Sequence, residues 1–460
     1  LIAISESLNE IIIVSNNFKN KIQNIPTAIS VLTRKDIQRN NVIDMTPILN
    51  TIAGVFMHSG TLSTNRITIR GIGSRSPYNT SKIRAYYQDI PLTNGSGIST
   101  IEDIDMTTLG KLEILKGPSS SIYGAGLGGT LQLIPIKTEF NKSVIESDYT
   151  VGSFGLQKYT LKTAVTNTKN SVNLTYTNLH LDGYRANNKT DREIITITTN
   201  HDIGSKDKIS FIGNLSRVKA FIPSSLNEDD YFENPSAAAY TWAQSKGFEE
   251  YTKGLLGVSW QHEYNSNTTQ KTSVFSSFLN SYEPRPFNIL KEETNGIGIR
   301  TRLIQNTTLF KNELNWTIGI ELFNDANSYQ TYKNLYNTVP SGSELIQGEL
   351  LSNFKERRTY FNLFFDSKYT FSKKIHYTLG LNLNKTSYHL KDNLINNIPN
   401  FSGNYSFKTM ISPKIGIVYK NSLSTMLYGS ISHGFSPPTL EETLLPDGLI
   451  NSTIEPESGW

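Results

Sequence analysis

Gly124, Gly126 and Gly129 fall at the G-x-G-x-x-G spacing within KLEILKGPSSSIYGAGLGGTLQLIPIK, residues 111–137. Glycines so spaced let a backbone approach a pyrophosphate at a helix N-terminus, the chemistry of a nucleotide-dependent oxidoreductase. The surroundings argue against it. The fingerprint must open a helix directly after a buried strand, yet the strand-like Lys111–Leu115 is followed by Gly117, Pro118 and three serines. After Gly129 the chain reads TLQLIPIK, β-branched and alternating, and its Pro135 would break a helix. No Lys-Ser/Thr pair follows the glycines, so a Walker loop fails too. Composition closes off other chemistries: without Cys there is no disulfide, thiolate metal site or cysteine nucleophile. His58, alone at a loop tip, reads as a solvated side chain rather than a haem ligand. A net charge of +4 with no basic run leaves no footprint for nucleic acid. The residues predict no catalytic group, no metal and no cofactor.

Two textures divide the 460 residues that must position these groups. Residues 1–140 mix short apolar strands (Ala28–Leu32, Arg66–Gly71, Lys111–Leu115, Thr130–Ile134) with helix signals. Thr33, with Asp36 three positions on, reads as a capping pair, and Asp44–Ile52 as a second short helix. This is a small α+β globule. From about residue 143 the chain alternates with period two. NWTIGIELF sets Trp316, Ile318, Ile320 and Leu322 against Thr317, Gly319 and Glu321. HYTLGLNLN sets Tyr377, Leu379, Leu381 and Leu383 against Thr378, Gly380, Asn382 and Asn384. Each is a strand of roughly ten residues with one apolar and one small polar face.

Short connections such as 166–170 and 371–374 alternate with long ones, 220–252 and 324–354. Short turns on one side and long loops on the other describe a membrane β-barrel with a wet or protein-filled lumen. The apolar content of 37% fits strands that build no thick core, and no run of 18 apolar residues offers a transmembrane helix. Soluble sandwiches have shorter strands, and propellers show a repeat that is absent here. No initiator Met or signal-peptide pattern is present, so any leader was removed or lies outside this sequence. About 13–14 antiparallel strands are expected in the sequence. A globule of about 135 residues is roughly 35 Å across, and barrels holding such a plug have about 22 strands. The barrel is therefore expected to be incomplete, with INSTIEPESGW a cut end rather than a strand.

These motifs resemble TonB-dependent outer-membrane receptors over nearly the whole chain. LNEIIIVSNN is similar to the TonB-box region, and IPTAISVLTRKDI to the first strand and helix of the plug. ILNTIAGVFM, NRITIRGIG, IRAYYQDIPL and IEDIDMTTLGKLEILKGP follow in family order, and DGYR, SPKIGIVY and SHGFSPPTLEE continue it into the barrel. Within the family the text most resembles receptors of the ferric-citrate and siderophore group. Two features depart from the pattern: Lys116 replaces the usual Arg before Gly-Pro, and Tyr87-Gln88-Asp89 replaces a hydrophobic residue followed by Asp-Gly.

The resemblance implies an N-terminal segment at 1–20, a plug at 21–140 and a barrel at 141–460. It implies a transporter of the bacterial outer membrane rather than an enzyme, with TonB, a ferric siderophore and membrane lipid as partners. Haem, cobalamin or an oligosaccharide as cargo, or siderophore sensing, are the alternatives. Glu10, Ile11, Ile12, Ile13 and Val14 form the expected TonB contact, a segment fit to add a strand to an exposed sheet edge. Arg70 and Lys116 are expected as plug–barrel latches, with Glu321 as one barrel carboxylate. Ligand capture is expected at the plug apices, through His58, Asn65, Arg75, Tyr78, Asn79 and Arg84. On the barrel it is expected at Tyr184, Arg185, Tyr240 and Trp242.

Overall fold

A computed structural model describes the chain except for residues 1–11, 14–19, 22–23, 41–42, 63–64, 76–79, 139–140, 339–345, 395–399, 423–424, 440–441 and 443–452. The N-terminal region begins with a two-residue pairing of β1 (Ile12–Ile13) against β2 (Asn20–Lys21). Then come β3 (Ala28–Thr33), α1 (Arg34–Arg39), α2 (Thr46–Leu49), β4 (Val55–Ser59), β5 (Asn65–Ile69), β6 (Ile83–Tyr87) and β7 (Ile90–Pro91). β8 (Leu109–Lys116), α3 (Ser120–Tyr123) and β9 (Gly129–Pro135) complete it. A five-stranded sheet in the order β3-β8-β9-β6-β7 forms its frame, and β4 and β5 make a separate hairpin. Thr33 and Asp36 cap α1 reciprocally as the spacing predicts. The second helix is shorter than expected, because Asp44 turns its carboxylate onto Thr46 and the turn at Asn50 ends it.

The barrel wall is one antiparallel sheet of 14 strands. Its strands are β10 (Ser143–Val151), β11 (Gln157–Thr166), β12 (Asn170–Leu181), β13 (Thr190–Ile203), β14 (Asp207–Phe221), β15 (Phe248–Asn265) and β16 (Thr268–Pro284). It continues through β17 (Ile289–Leu309), β18 (Asn312–Asn334), β19 (Gln347–Thr370), β20 (Ile375–Asp392), β21 (Gly403–Ser406), β22 (Met410–Lys420) and β23 (Met426–Ser432). Each strand pairs with its successor in sequence, except that β22 and β21 both pair with β20. Several strands are far longer than the expected ten residues: β18 has 23 and β19 has 24. At about 3.4 Å per residue β19 runs roughly 80 Å, well beyond an apolar band about 25 Å tall. The long loops are correspondingly shorter than expected, 222–247 and 335–346, because β14, β15, β18 and β19 project into them. The C-terminal stretch also departs from expectation: β24 (Gly434–Ser436) pairs with β25 (Glu457–Gly459).

The two faces of the wall invert the arrangement of a soluble protein. Ile318, Leu322, Leu379 and Leu381 point outward and are 41–53% exposed, whereas Thr317, Glu321 and Asn382 are 0% exposed. Apolar outside and polar inside, at strict alternation, is what lipid requires of a spanning sheet. The plug fills the inside. Its core of Ile37, Leu49, Met57, Ile69, Ile114 and Leu131 is continued by Ile212, Leu255, Phe275 and Phe323 of the wall. Leu379→Arg should therefore destabilise the folded barrel by up to about 2–4 kcal/mol if the site lies at the bilayer midplane. Urea titration in lipid vesicles measures this, and an unchanged midpoint would place the side chain outside hydrocarbon.

Candidate functional site: the plug–barrel interface

Gly126 and Gly129 pack within the plug, and Gly124 packs against the wall. Gly129, at φ +141°, starts β9 opposite Lys116, and a Cβ there would lie 2.2 Å from the Leu115 carbonyl oxygen. Gly124, at φ +69°, ends α3 so close to Asn362 of β19 that a Cβ would lie 2.5 Å from its side chain. α3 has only four residues and the glycines follow it, so no helix N-terminus faces them. Gly129→Ala should cost the plug about 2–4 kcal/mol, since both the backbone conformation and the space oppose a methyl group. Loss of protease resistance confined to residues 21–138 is the readout, and full resistance would show that the β8–β9 contact is slack.

The wall and plug exchange charges across their whole contact. Asp89 sits at the two-residue turn between β6 and β7, where Gln88 takes φ +55°. Its carboxylate accepts from Arg302 Nη2 of β17 at 2.8 Å and pairs with Lys271 Nζ of β16. Lys271 and Arg302 are direct cross-strand neighbours, a like-charge pair that the plug carboxylate bridges. Nearer the loop rim, Lys253 Nζ of β15 donates to Asp103 at 2.8 Å, and Tyr251 adds its hydroxyl at 2.9 Å. Lys158 Nζ of β11 donates to Asp105 at 2.7 Å, and both groups are buried. Burial alone would push these three aspartates up. The cations beside them outweigh it and hold Asp89, Asp103 and Asp105 below the usual carboxylate range.

Elsewhere the wall supplies the carboxylate. Glu321 of β18, 0% exposed, lies between Arg300, its cross-strand neighbour on β17, and Arg84 of the plug. Arg84 Nη2 stands 3.6 Å from it, and Tyr86 donates its hydroxyl to it at 3.1 Å. The guanidiniums of Arg84 and Arg300 also lie over the rings of Tyr360 and Phe364, at 4.8 and 4.5 Å. Four residues further along β18, Asp325 accepts from Arg358 at 2.6 and 3.1 Å and from the backbone N–H of Gly95 at 2.8 Å. The plug is thus held by acids facing wall cations on one side and by wall acids on the other.

Several expected residues stand elsewhere. Arg84, expected at an apex facing ligand, lies in the Glu321 network, because both faces of β6 are covered. Arg70 and Lys116, expected as latches, have no wall partner among the described residues. Lys116 Nζ donates instead to the Ala53 carbonyl at 3.0 Å, within the plug. Asn65 is buried at the loop end of its hairpin, opposite Ser59, and donates to the Leu62 carbonyl at 3.4 Å. Arg185 spends its guanidinium on the carbonyls of Pro223, Ser224 and Ala237, ordering the 222–247 loop. His58, Arg75, Tyr184 and Tyr240 are exposed, and Trp242 is half-buried. Tyr184 packs edge-on against Phe154 across two loops at 5.3 Å. Tyr78, Asn79, Glu10, Ile11 and Val14 lie outside the described residues. Asp89, Asp103, Asp105 and their cations were missed. For the cations a signal existed: Lys158, Lys253, Lys271, Arg300 and Arg302 all fall on the polar, inward phase of their strands.

A plug of this architecture inside such a wall can be compared with known families. Residues 21–130 match the model of the TonB-dependent receptor plug domain, and residues 143–460 that of the TonB-dependent receptor-like β-barrel. The chain belongs to the TonB-dependent receptor family. That places it in the outer membrane and outside the enzymes. The iron-regulated outer membrane virulence protein of Vibrio cholerae is 29% identical over 131 residues, covering 28% of this chain and 20% of that protein. The ferrioxamine receptor of Yersinia enterocolitica is 26% identical over 116 residues, 25% of this chain and 16% of that receptor. The matched stretches thus span a fifth or less of these relatives. The unliganded ferric citrate transporter FecA superposes with a TM-score of 0.80 at 16% identity, covering 96% of this chain and 68% of that one. At that identity the likeness concerns the fold alone.

Proposed function

We propose that this receptor imports a ferric siderophore across the outer membrane, driven by TonB pulling on the plug. The observation that carries the reading is how the plug is retained: paired charges bridge it to the wall around Asp89, Asp103, Asp105 and Glu321. A plug meant only to seal needs a dry apolar contact. Charges that can be handed to water suit one that must move. The iron-related names of the Vibrio and Yersinia relatives support an iron chelate as cargo. Exposed His58, Arg75, Tyr184 and Tyr240 supply the surface that would first meet it. Growth of an iron-starved strain carrying this receptor as its sole route, on a panel of ferric chelates, is the test. Rescue by at least one ferric siderophore is expected; rescue by haem alone, or by none of the ferric chelates, would overturn the siderophore reading.

TonB engagement is assigned to Glu10–Val14. Within that segment Ile12–Ile13 take strand conformation against Asn20–Lys21, so their backbone is competent for edge pairing. Deleting residues 6–15 should abolish capture by the periplasmic domain of TonB while leaving the plug folded. Undiminished capture would remove these residues from the contact.

A further inference from the structure

A cavity of about 340 Å³ lies between the plug and strands β10–β13. It is not among the surfaces proposed above to collect ligand. Lys142 precedes β10, and Asn173 follows the turn into β12, so the cavity opens toward the rim of short turns. The long loops occupy the other rim. Its volume is at the lower end of the roughly 300–1,000 Å³ typical of small-molecule sites.

The lining is built for an oxyanion. Arg34 of α1, Lys142 and Lys162 of β11 line it with Glu146 of β10, and the Asp105 and Asp148 carboxylates also act on Arg34. Arg34 is fixed in place by donating Nη1 to the carbonyls of Thr107 and Leu109, at 2.9 and 3.2 Å. Lys162 is held only loosely, 3.5 Å from both Glu146 and Asp148, which are themselves half exposed or more. Six threonines from plug and wall share the lining with them. Tyr87, 0% exposed, lines the same cavity with its hydroxyl beside that of Thr108. Cations and hydroxyl donors around one cavity together ask for carboxylate oxygens.

We propose that this cavity is an anion-accepting station between plug and wall, which takes a small carboxylate-bearing ligand on its way to the turn-side rim. Its role as an exit rests on the import reading; its preference for anions does not. The natural absence of Cys makes the test direct. Ala164, half-buried, lines the cavity on β11, and Ala164→Cys introduces a single thiol into these 460 residues. In lipid vesicles, a negatively charged methanethiosulfonate reagent should label it about tenfold faster than a positively charged one of similar size. Metal-free citrate should slow that labelling severalfold. Lys142→Gln with Lys162→Gln should erase the preference while sparing the Arg34 contacts within the plug. Thr198→Cys, on β13 across the same cavity, provides a second reporter. Equal rates for the two reagents, an unreactive thiol at both positions, or no protection by citrate would overturn the station. Persistent anion preference with no rescue by ferric chelates would sink the import reading alone; rescue without the preference would sink only the station.

Discussion

Asp89→Asn is expected to unlatch the plug at neutral pH, at a cost of about 3–5 kcal/mol. The size follows from what is left behind. Lys271 and Arg302 are set directly opposite each other by strand register, and the Asp89 carboxylate is what bridges them. An amide cannot neutralise two cations, so the variant leaves a half-buried like-charge pair facing a neutral group. Hydrogen exchange should show the amides of Ile83–Ile90 losing protection while those of β16 and β17 keep theirs. The triple variant with Lys271→Met and Arg302→Met should recover much of the protection, since the like-charge pair is removed with the carboxylate that bridged it. If Asp89→Asn alone leaves exchange unchanged, this contact does not hold the plug. The wild type carries a pH signature of defined sign. Asp89, Asp103 and Asp105 lie below their ordinary value of 3.8 in the folded state. Their contribution is complete above that value and is lost as the pH falls below it toward the folded values. Plug release is therefore expected in acid, not on raising the pH from neutral.

What was legible in the chain follows from the range of the signal. The faces of β18 and β20 could be read because alternation is local: Ile318 and Leu322 announce lipid as clearly as Thr317 and Glu321 announce a filled lumen. The α1 cap was legible for the same reason, since Thr33 and Asp36 are three residues apart. Pairings across the interface were not. Tyr86 meets Glu321 over 235 positions and Lys253 meets Asp103 over 150, and no periodicity connects them. Arg84 shows the cost. Its type suits an anionic ligand, but only the covering of both faces of β6 decides that it serves Glu321 instead. Strand ends were misjudged where polar and aromatic residues continue past the membrane band, as along Phe323–Asn334, because pairing persists without lipid. The glycine pattern was ambiguous by itself. Gly129 is explained by a carbonyl on a neighbouring strand that the pattern does not contain.

Glu321→Gln should have the second large effect, and it separates holding the plug from moving it. Arg84 and Arg300 are 4% and 2% exposed, and Glu321 is the carboxylate they share. Each retains a carbonyl, Tyr123 for Arg84 and Ile122 for Arg300, together with aromatic rings beneath. Those contacts do not cancel two buried positive charges, so a loss of about 3–5 kcal/mol is expected. It should appear as lost exchange protection in β6 and α3. Replacing all three groups with apolar ones of similar size, Arg84→Met, Arg300→Met and Glu321→Leu, should restore protection, because desolvating a charged cluster gains little over packing. If the network exists to let the plug leave, growth on ferric chelates should stay impaired in that triple variant despite its stability, since an apolar contact has no charges to hand over to water. Full recovery of growth would reduce the network to a structural role. Recovery of neither stability nor growth would mean that the apolar side chains do not fill the space the charges occupied.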